Sequence, residues 1–162
     1  MTALGSIFRG RYEALFTNYK HDVLSAAIPE DLDGLTTPCW VVERFGKVDS
    51  LRSNALFVQT ATRPINIVTA AAKKGVNFGG LQEFDLEKAD TADAKILCDA
   101  ITTTGHANEE AFLLSLVEPI NAFFDNNMIM ADDETVRYHR LSLANAVAQH
   151  ILETGDFTKL EG

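Results

Sequence analysis

Apolar side chains recur along most of the chain at intervals of three and four residues, which is the spacing of one face of an α-helix. The stretch "SIFRGRYEALFTNY" predicts a first amphipathic helix. Its apolar positions are Ile7, Phe8, Tyr12, Leu15, Phe16 and Tyr19. "KHDVLSAAIPED" predicts a short second helix that ends before Pro29, and "PEDLDGLTTP" predicts a loop. No stretch alternates with the period of a strand, so the pattern favours an all-α protein.

The middle of the chain, residues 39–74, can supply two or three helices. Thr62 is a plausible N-cap, and Pro64 fits a helix only in its first turn, so one helix is expected to begin near these residues. The glycine-rich "GVNFGG" that follows marks a break. It lacks the Gly-Lys-Ser/Thr ending of a phosphate-binding loop, and an ordinary loop between helices is the favoured interpretation.

The second half begins with a helix over "TADAKILCDAI" and continues with "ANEEAFLLSLVEPINAFFD". Asn108 is the expected N-cap of that second stretch, with Glu109 and Glu110 in the first turn, where the helix dipole favours acids. Pro119 interrupts the pattern and predicts a kink near Ser115. The apolar stripe expected to face the core comprises Phe112, Leu116, Ile120 and Phe123.

The last predicted helix begins at Asp132 or Asp133 and runs toward Leu152, before Gly155 ends it. Two adjacent apolar rows define its packed side. The positions expected to face water are Tyr138, Ser142, Asn145, Gln149 and Glu153. When the apolar rows are extended back by one turn they reach Arg137 and Arg140, so both arginines are expected on the packed side.

A buried arginine needs a partner, and Asp125, at the end of the preceding helix, is the candidate for a bidentate bond across the linker. A structural ion pair among Asp125, Arg137 and Arg140 is favoured over direct RNA contact by the two arginines. Met128 and Met130, in the linker between, are expected to fill the core.

Composition supports one ordinary globular domain: 162 residues, 46% of them hydrophobic and 23% charged. The net charge is −9 and the pI is near 4.8. Strong nonspecific nucleic-acid binding depends on neutralising phosphates, and an acidic chain disfavours it. Any RNA contact is therefore expected to be local.

Candidate chemistry is sparse. Cys39 and Cys98 are isolated and suit a reduced cytosol rather than a zinc site or a disulfide framework. His21 and Asp22 form an HD pair, but the further ligands of a metal site are missing. No nucleophile elbow, HExxH or phosphate cradle is present, so the chain alone is expected to be non-catalytic. Without a leader or a membrane span, we expect a soluble, intracellular protein.

"LVEPINAFFDNNMIMADDETVRYHRLSLANAVAQHI", with the tail "GDFTKL", resembles the C-terminal DALR-type anticodon-binding domain of bacterial glycyl-tRNA synthetase β subunits. The family run has an aromatic pair with Asp, a Val/Met stretch, an acidic segment and Arg-x-x-Arg-Leu. The matching positions are Phe123, Phe124, Asp125, Met128, Met130, Arg137, Arg140, Leu141, Asp156 and Leu160. "FRGRYEALFTNYKHDVLSAAI" and "TATRPINIV" resemble two further family blocks. The chain departs from the family at Thr62, Pro64, Asn127 and His139.

The resemblance implies an all-α bundle of about six to eight helices. It also implies a single domain over residues 1–162, excised from the C-terminus of a longer β subunit or standing alone. The implied function is recognition of the anticodon arm of glycine tRNA, in support of aminoacylation by a catalytic α subunit. The implied partners are glycine tRNA, the rest of the β subunit and the α subunit, in the cytoplasm, with no DNA or membrane. ATP and magnesium would belong to the parent complex, and no cofactor or metal to this chain.

The candidate tRNA-binding residues are Arg9, Arg11, Arg63, Asn66, Lys73 and Lys74. An RNA loop is read through local cations and through stacking on unpaired bases, which such a set could supply. The commoner role of exposed charges is simply to face water. The competing function is a helical interaction module that docks synthetase subunits without touching RNA; an exposed apolar patch would favour it.

Overall fold

The computed structural model describes residues 3–80 and 89–160. Its α-helices are α1 (Ala3–Leu15), α2 (His21–Ala27), α3 (Leu32–Leu35), α4 (Pro38–Arg52), α5 (Ala55–Lys73), α6 (Ala92–Thr102), α7 (Glu109–Ser115), α8 (Val117–Asn126) and α9 (Glu134–Thr154). A 3-10 helix covers Phe157–Lys159. Within these two ranges eight α-helices have seven or more residues, α3 is a single turn, and no strand is present. The predicted all-α class is confirmed. None of the helices in these ranges is long and apolar enough to cross a membrane.

The chain groups into two compact units, one made of residues 1–58 with 152–162 and the other of residues 59–151. Both boundaries fall inside helices, in α5 and in α9. The domain prediction, a single domain over residues 1–162, stays a prediction.

The core of the first unit is built on aromatic side chains. Phe45 is fully buried in α4, and its ring centroid lies 5.1 Å from that of Phe16 and 6.2 Å from that of Tyr12. The Tyr12 hydroxyl donates to the carbonyl of Leu35 at 2.9 Å. This satisfied polar tip lets the ring be buried without an unpaired hydroxyl.

Gly155 is required where the end of α9 meets α2 and α4 within the same unit. A Cβ at Gly155 would lie 2.6 Å from Val48 Cγ2 and 3.2 Å from the carbonyl oxygen of Ala26. The next amide, Asp156 N–H, donates to that same carbonyl at 2.8 Å. A Cβ here would clash with Val48 and crowd the Ala26 carbonyl, which explains the glycine.

The first two predictions about local structure need correction. In α1, Tyr12 is buried, but Ile7 and Leu15 are exposed, so the packed face is rotated from the predicted one. The predicted loop over residues 29–38 contains the single turn α3. The Asp31 side chain accepts from the amide of Gly34 at 2.6 Å, which supplies the N-cap that a short turn needs.

Helix α5 begins earlier than predicted. Asn54, not Thr62, is its N-cap, because the Asn54 side chain accepts from the amide of Phe57 at 3.0 Å. Thr62 lies inside the helix and donates to the carbonyl of Gln59, and Pro64 lies inside it too. The prediction that Pro64 sits in a first turn was wrong. Proline removes one backbone donor, the one that would have met the carbonyl of Thr60.

In the second unit, α6 packs against α8, and α7 against α8. Asn108 caps α7 by accepting from the amide of Ala111 at 2.8 Å, as predicted. The predicted kink is confirmed as a break, since α7 ends at Ser115 and α8 begins at Val117. Pro119 lies in the first turn of α8, where its missing N–H costs little. Leu116, Ile120 and Phe123 are buried as expected, while Phe112 is half-buried.

Helix α9 begins at Glu134, with Asp133 accepting from the amide of Val136 at 3.0 Å, as the sequence predicts. Its predicted water-facing side is not all exposed. Ser142 is buried and Asn145 half-buried, because both bind the backbone of Gly79. The row predicted as apolar ends in Leu152, which is 38% exposed.

The methionines of the linker before α9 do not fill the core. Met128 is 69% exposed and Met130 36% exposed, whereas Ile129 between them is buried. The linker turns at Ile129 and Met130, and the isoleucine takes the inner position. The prediction of core methionines was therefore wrong.

Candidate nucleic-acid interface

The exposed side of α5 carries positive charge and no acid. The helix sequence, ALFVQTATRPINIVTAAAK, contains neither Asp nor Glu. Arg63, Asn66 and Lys73 fall within one face at helical spacing, and Lys74 follows at the end of the helix. Asn66, Lys73 and Lys74 are exposed and Arg63 is partly exposed. In a chain of net charge −9, Lys73 and Lys74 give this face a local cluster of cations, while Arg63 is paired with Asp125. We call these four residues the α5 face.

Arg63 is held in place by α8. Its Nη1 donates to Asn121 Oδ1 at 3.0 Å and its Nη2 to Asp125 Oδ1 at 2.7 Å. The guanidinium carbon lies 5.3 Å from the centroid of the Phe124 ring, within the range of a cation–π contact. Asn121 in turn donates to Thr60 Oγ1 at 3.0 Å. Arg63 is thus a pre-positioned planar group with a third of its side chain exposed.

The predicted clamp between Asp125 and the arginines of α9 was wrong. Asp125 pairs with Arg63, and among the described residues it makes no ion pair with Arg137 or Arg140. Arg140 forms a bidentate pair with Asp90, with Nε at 3.1 Å and Nη2 at 2.5 Å from Asp90 Oδ2. Helical periodicity predicts that an arginine lies on the packed side of its helix. It does not predict which acid, distant in sequence, forms the ion pair with it.

The two arginines nevertheless hold the linker, through its backbone. Arg140 Nη1 donates to the carbonyl of Met128 at 2.9 Å, and Arg137 Nη1 to those of Ala131 at 2.8 Å and Asp132 at 3.3 Å. Charged donors thus satisfy linker carbonyls that lie outside both helices. The linker between "FFD" of α8 and "RYHRL" of α9 is therefore fixed by hydrogen bonds from arginines to its carbonyls.

Arg9 and Arg11 lie on α1, in the first unit, apart in sequence from the α5 face. Arg9 Nε donates to Glu13 Oε1 at 3.2 Å, so its charge is matched within its own helix. Arg11 is exposed. It shares one helix face with the exposed apolar residues Leu4, Ile7 and Leu15. This setting favours a protein contact over an RNA contact for Arg11.

Asp22 of the HD pair has a structural role. Its Oδ1 accepts from Arg52 Nη1 at 2.9 Å and from the amide of Val23 at 2.8 Å. Asp22 is buried, and the guanidinium supplies the partner that a buried carboxylate needs. Over the described residues, no group of three or more His, Cys, Asp or Glu is placed to hold a metal ion.

A cavity of about 320 Å³ lies in the second unit, between the end of α5 and the start of α9. Sequence reasoning missed it, because no motif joins segments so far apart. Its lining residues are Gly75, Val76, Asn77, Glu134, Arg137 and Tyr138. We call it the α5–α9 pocket. Residues of α9 and of the segment that follows α5 thus line one small volume.

The wall formed by residues 75–77 is fixed by a Schellman motif. Gly75 has φ +69°, its N–H donates to the carbonyl of Ala72 at 3.0 Å, and that of Val76 donates to Ala71 at 3.1 Å. Just beyond, Gly79 is pinned to α9. Its N–H donates to Ser142 Oγ at 2.7 Å, and its carbonyl accepts from Asn145 Nδ2 at 2.9 Å. The pocket wall is therefore anchored on both sides.

Comparison with known proteins identifies the second half of the chain. Residues 81–158 match the family model of the DALR anticodon binding domain. Over these residues the chain is similar to DALR anticodon binding domains. The resemblance drawn from the sequence is confirmed. The matched residues include α6 to α9, and with them Glu134, Arg137 and Tyr138 of the α5–α9 pocket. The segment Gly75–Asn77 and the α5 face precede it.

The chain is also similar to curated glycine–tRNA ligase beta subunits. It is 29% identical over 94% of its length to that of Aliivibrio fischeri strain MJ11. It is 39% identical over 53% of its length to that of Vibrio atlanticus, and 51% identical over 32% to that of Oceanobacillus iheyensis. These matches span 23% of the length of the Aliivibrio relative, 13% of the Vibrio relative and 7% of the Oceanobacillus relative.

Proposed function

We propose that this chain binds the anticodon arm of glycine tRNA and so supports charging of that tRNA by a glycine–tRNA ligase. The observation that carries the proposal is the DALR anticodon-binding domain over residues 81–158 in a chain similar to glycine–tRNA ligase beta subunits over 94% of its length. The α5 face supports the proposal from the structure, because it concentrates cations in an acidic chain.

The remaining assignments follow from the same proposal. The catalytic step, with its ATP and magnesium, belongs to a separate α subunit, and this chain contributes tRNA binding alone. Its protein partners are that α subunit and the rest of a β subunit, in the cytoplasm. A domain that only positions RNA needs exposed cations and stacking groups rather than a nucleophile or a general base.

The charge distribution predicts how the RNA is held. A net charge of −9 repels RNA at long range, so the affinity must come from a small patch at short range. Lys73 and Lys74 are exposed at the end of α5 and are suited to phosphates. Lysine binds phosphate as a point charge and needs no fixed geometry. Arg63, already fixed by Asn121 and Asp125, is suited to stacking on an unpaired base.

The test reverses charge on the α5 face. Lys73→Glu with Lys74→Glu should weaken binding of glycine tRNA at least tenfold and lower the slope of log affinity against log salt by about 1.5, since two phosphate contacts are lost. The measurement is a fluorescence titration at several salt concentrations.

The matched control is Lys20→Glu with Lys95→Glu, which changes the net charge equally at two exposed lysines off the α5 face. The control should leave the affinity within about threefold, because long-range charge alone is largely screened by salt. Helicity by circular dichroism verifies folding, since Lys73 also complements the C-terminal dipole of α5. Equal weakening by both pairs would refute a specific role for the α5 face.

A second candidate function is docking of synthetase subunits, and one observation favours it. Leu4, Ile7 and Leu15 are 49%, 58% and 75% exposed on one face of α1. Exposed apolar side chains clustered on one face are typical of a protein contact. Ile7→Glu with Leu15→Glu should abolish assembly with the other subunits if this face docks them, and should leave tRNA titrations of the isolated chain unchanged. Weaker tRNA binding by this variant would contradict the separation of the two functions.

A further inference from the structure

The linker between α8 and α9 exposes two methionines next to a run of acids. Met128 is 69% exposed and Met130 is 36% exposed, although both side chains are large and apolar. The chain then continues into three exposed acids, Asp132, Asp133 and Glu134. We call these five residues the Met128 surface. Exposed apolar side chains bordered by polar residues are typical of interaction sites.

The backbone under this surface is held from the side of α9. Arg140 Nη1 donates to the carbonyl of Met128 at 2.9 Å, and Arg137 Nη1 donates to that of Ala131 at 2.8 Å. Ile129, between the two methionines, is buried. The inner side of the linker is thus occupied, and the methionine side chains face outward. A partner would meet a pre-formed surface, and ordering the linker would cost it little.

Further acids lie beside the Met128 surface. Arg140 binds both the carbonyl of Met128 and the carboxylate of Asp90, so Asp90 lies next to the linker. Asn126, the last residue of α8, donates from Nδ2 to Asp93 Oδ2 at 3.1 Å. Lys95 is exposed on the same helix as Asp93, but residues two apart point to different sides of a helix. The surroundings of the methionines are therefore predominantly acidic.

The charge of this surface selects the kind of partner. Carboxylates repel the phosphates of RNA and of anionic membranes, so neither is a suitable occupant. They favour a partner with lysine and arginine. Methionine adapts to varied apolar shapes because its side chain is unbranched and polarizable. An amphipathic helix presents apolar side chains at spacings of three and four residues, with charged side chains on either side of them.

We propose that the Met128 surface docks a basic amphipathic helix of a partner protein. Apolar side chains of that helix pack on Met128 and Met130, and its lysines or arginines pair with Asp132 and Glu134. The inference goes beyond the proposed function, because this contact requires no tRNA. The surface is small, so the contact is weak and transient, with a dissociation constant of about 10–100 µM.

The experiment titrates the full chain with synthetic peptides. The probe is a peptide of about 14 residues, or ~21 Å of helix, with leucine on one face and lysine on the other. One control peptide has glutamate in place of every lysine, and another has the probe's composition in an order without an apolar face. The probe should bind at least about tenfold more tightly than either control. Equal binding of the acidic peptide would overturn the proposal.

Amide NMR signals locate the contact on the chain. The probe should shift the signals of residues 126–134 most strongly, since the helix would lie on that part of the backbone. Shifts that are strongest anywhere else would show that the peptide binds another surface, and would overturn the proposal.

The apolar part of the contact is tested by Met128→Ser with Met130→Ser, which should weaken probe binding about tenfold or more. The matched control is Leu56→Ser with Leu114→Ser, because these leucines are 54% and 37% exposed on α5 and α7. The control should keep the affinity within about threefold, and circular dichroism verifies that both variants fold. Equal weakening by the two pairs would indicate unspecific adsorption and refute the proposal.

The charged part is tested by Asp132→Asn with Glu134→Gln, which leaves the Asp133 cap of α9 unchanged. This pair should weaken probe binding about fivefold at low salt, and the difference should shrink at high salt because salt screens exposed charges. Glu43→Gln with Glu118→Gln is the matched control, since it changes the net charge equally at two exposed acids on α4 and α8. If both pairs weaken binding equally, the peptide follows net charge alone and the proposal fails.

Two results separate this inference from the proposed function. Lys73→Glu with Lys74→Glu should lose tRNA affinity but keep probe affinity, because the α5 face takes no part in docking the helix. Retained probe binding by a wild-type chain that binds no tRNA would refute the proposed function alone. If an anticodon-arm hairpin shifts the signals of residues 126–134 and the probe does not, the Met128 surface belongs to an RNA interface and the proposal is overturned.

Discussion

Arg140 and Arg63 each meet an acid that is distant in sequence. Arg140 reaches Asp90, 50 residues earlier, and Arg63 reaches Asp125, 62 residues later. Helix periodicity predicted that Arg140 lies on a packed side, and this residue is indeed only 14% exposed. Its acid could not be predicted, because a pair across helices depends on how those helices pack. The same limit applies to the α5–α9 pocket, which is lined by the segment after α5 and by the start of α9.

A double-mutant cycle tests these pairings. The stabilities of Arg140→Ala, Asp90→Ala and the double variant should give a coupling of about 1 kcal/mol, since the pair is bidentate and only partly exposed. The measurement is urea unfolding followed by circular dichroism. The matched cycle of Arg140→Ala with Asp125→Ala should give no coupling beyond about 0.3 kcal/mol. Coupling in the second cycle and none in the first would reinstate the clamp across the linker.

The two cysteines should differ sharply in reactivity. Cys39 is exposed, whereas Cys98 is buried and its burial, with the neighbouring Asp99 charge, raises the pKa of the thiol to about 12. The thiolate is the reactive form, so Cys98 should stay protonated and shielded in the folded protein. Iodoacetamide at pH 8 should label Cys39 alone, and both residues after denaturation in urea, as read by mass spectrometry. Comparable labelling of Cys98 in the native protein would contradict its burial.

At the scale of elements, most boundaries could be predicted because the signals are local. Thr91, Asn108 and Asp133 each accept from a backbone amide three residues ahead, as their positions before apolar periodic runs indicate. The start of helix α5 was predicted wrongly, as was the loop that contains α3. Pro64 argued for a helix start, but the apolar period runs through it from Ala55, and the helix continues despite one missing donor. Tertiary packing outweighed a local preference there.

Glycine substitutions test the close approach at the end of α9. Gly155→Ala should destabilise the protein by about 1–3 kcal/mol, because its Cβ would clash with Val48 Cγ2 and crowd the Ala26 carbonyl. Gly46→Ala is the matched control inside α4, where a Cβ meets no atom within 4 Å. The control should stabilise by about 0.5–1 kcal/mol through helix propensity. Thermal unfolding compares the two. A neutral Gly155→Ala would show that α2 and the end of α9 are not in contact.

At the scale of the whole molecule, an acidic chain must still bind an anionic ligand if the proposed function is right. Because the net charge is −9, the chain does not attract RNA at long range. The α5 face would provide short-range contacts instead. Composition alone predicts that any RNA contact is local, and this stays a prediction. It could not indicate where, because the acid-free stretch becomes a face only once α5 extends from Ala55 to Lys73.

This balance predicts a shallow salt dependence. Between low and physiological salt the slope of log affinity should correspond to about two to four neutralised phosphates, with affinity in the micromolar range or weaker. Titrations of glycine tRNA at several salt concentrations give the slope. A slope equivalent to about eight phosphates would mean that a much larger cationic surface takes part than the α5 face.

The central claim is that the chain recognises the anticodon arm of glycine tRNA, and one titration tests it most directly. Fluorescently labelled glycine tRNA is compared with the same tRNA whose anticodon bases alone have been exchanged, at one fixed, near-physiological salt concentration. The proposed function predicts tighter binding of the unaltered tRNA by about tenfold or more, the effect of losing base-edge contacts. Equal affinity for the two tRNAs, or no binding of either even at low salt, would contradict it and leave the docking function as the better explanation.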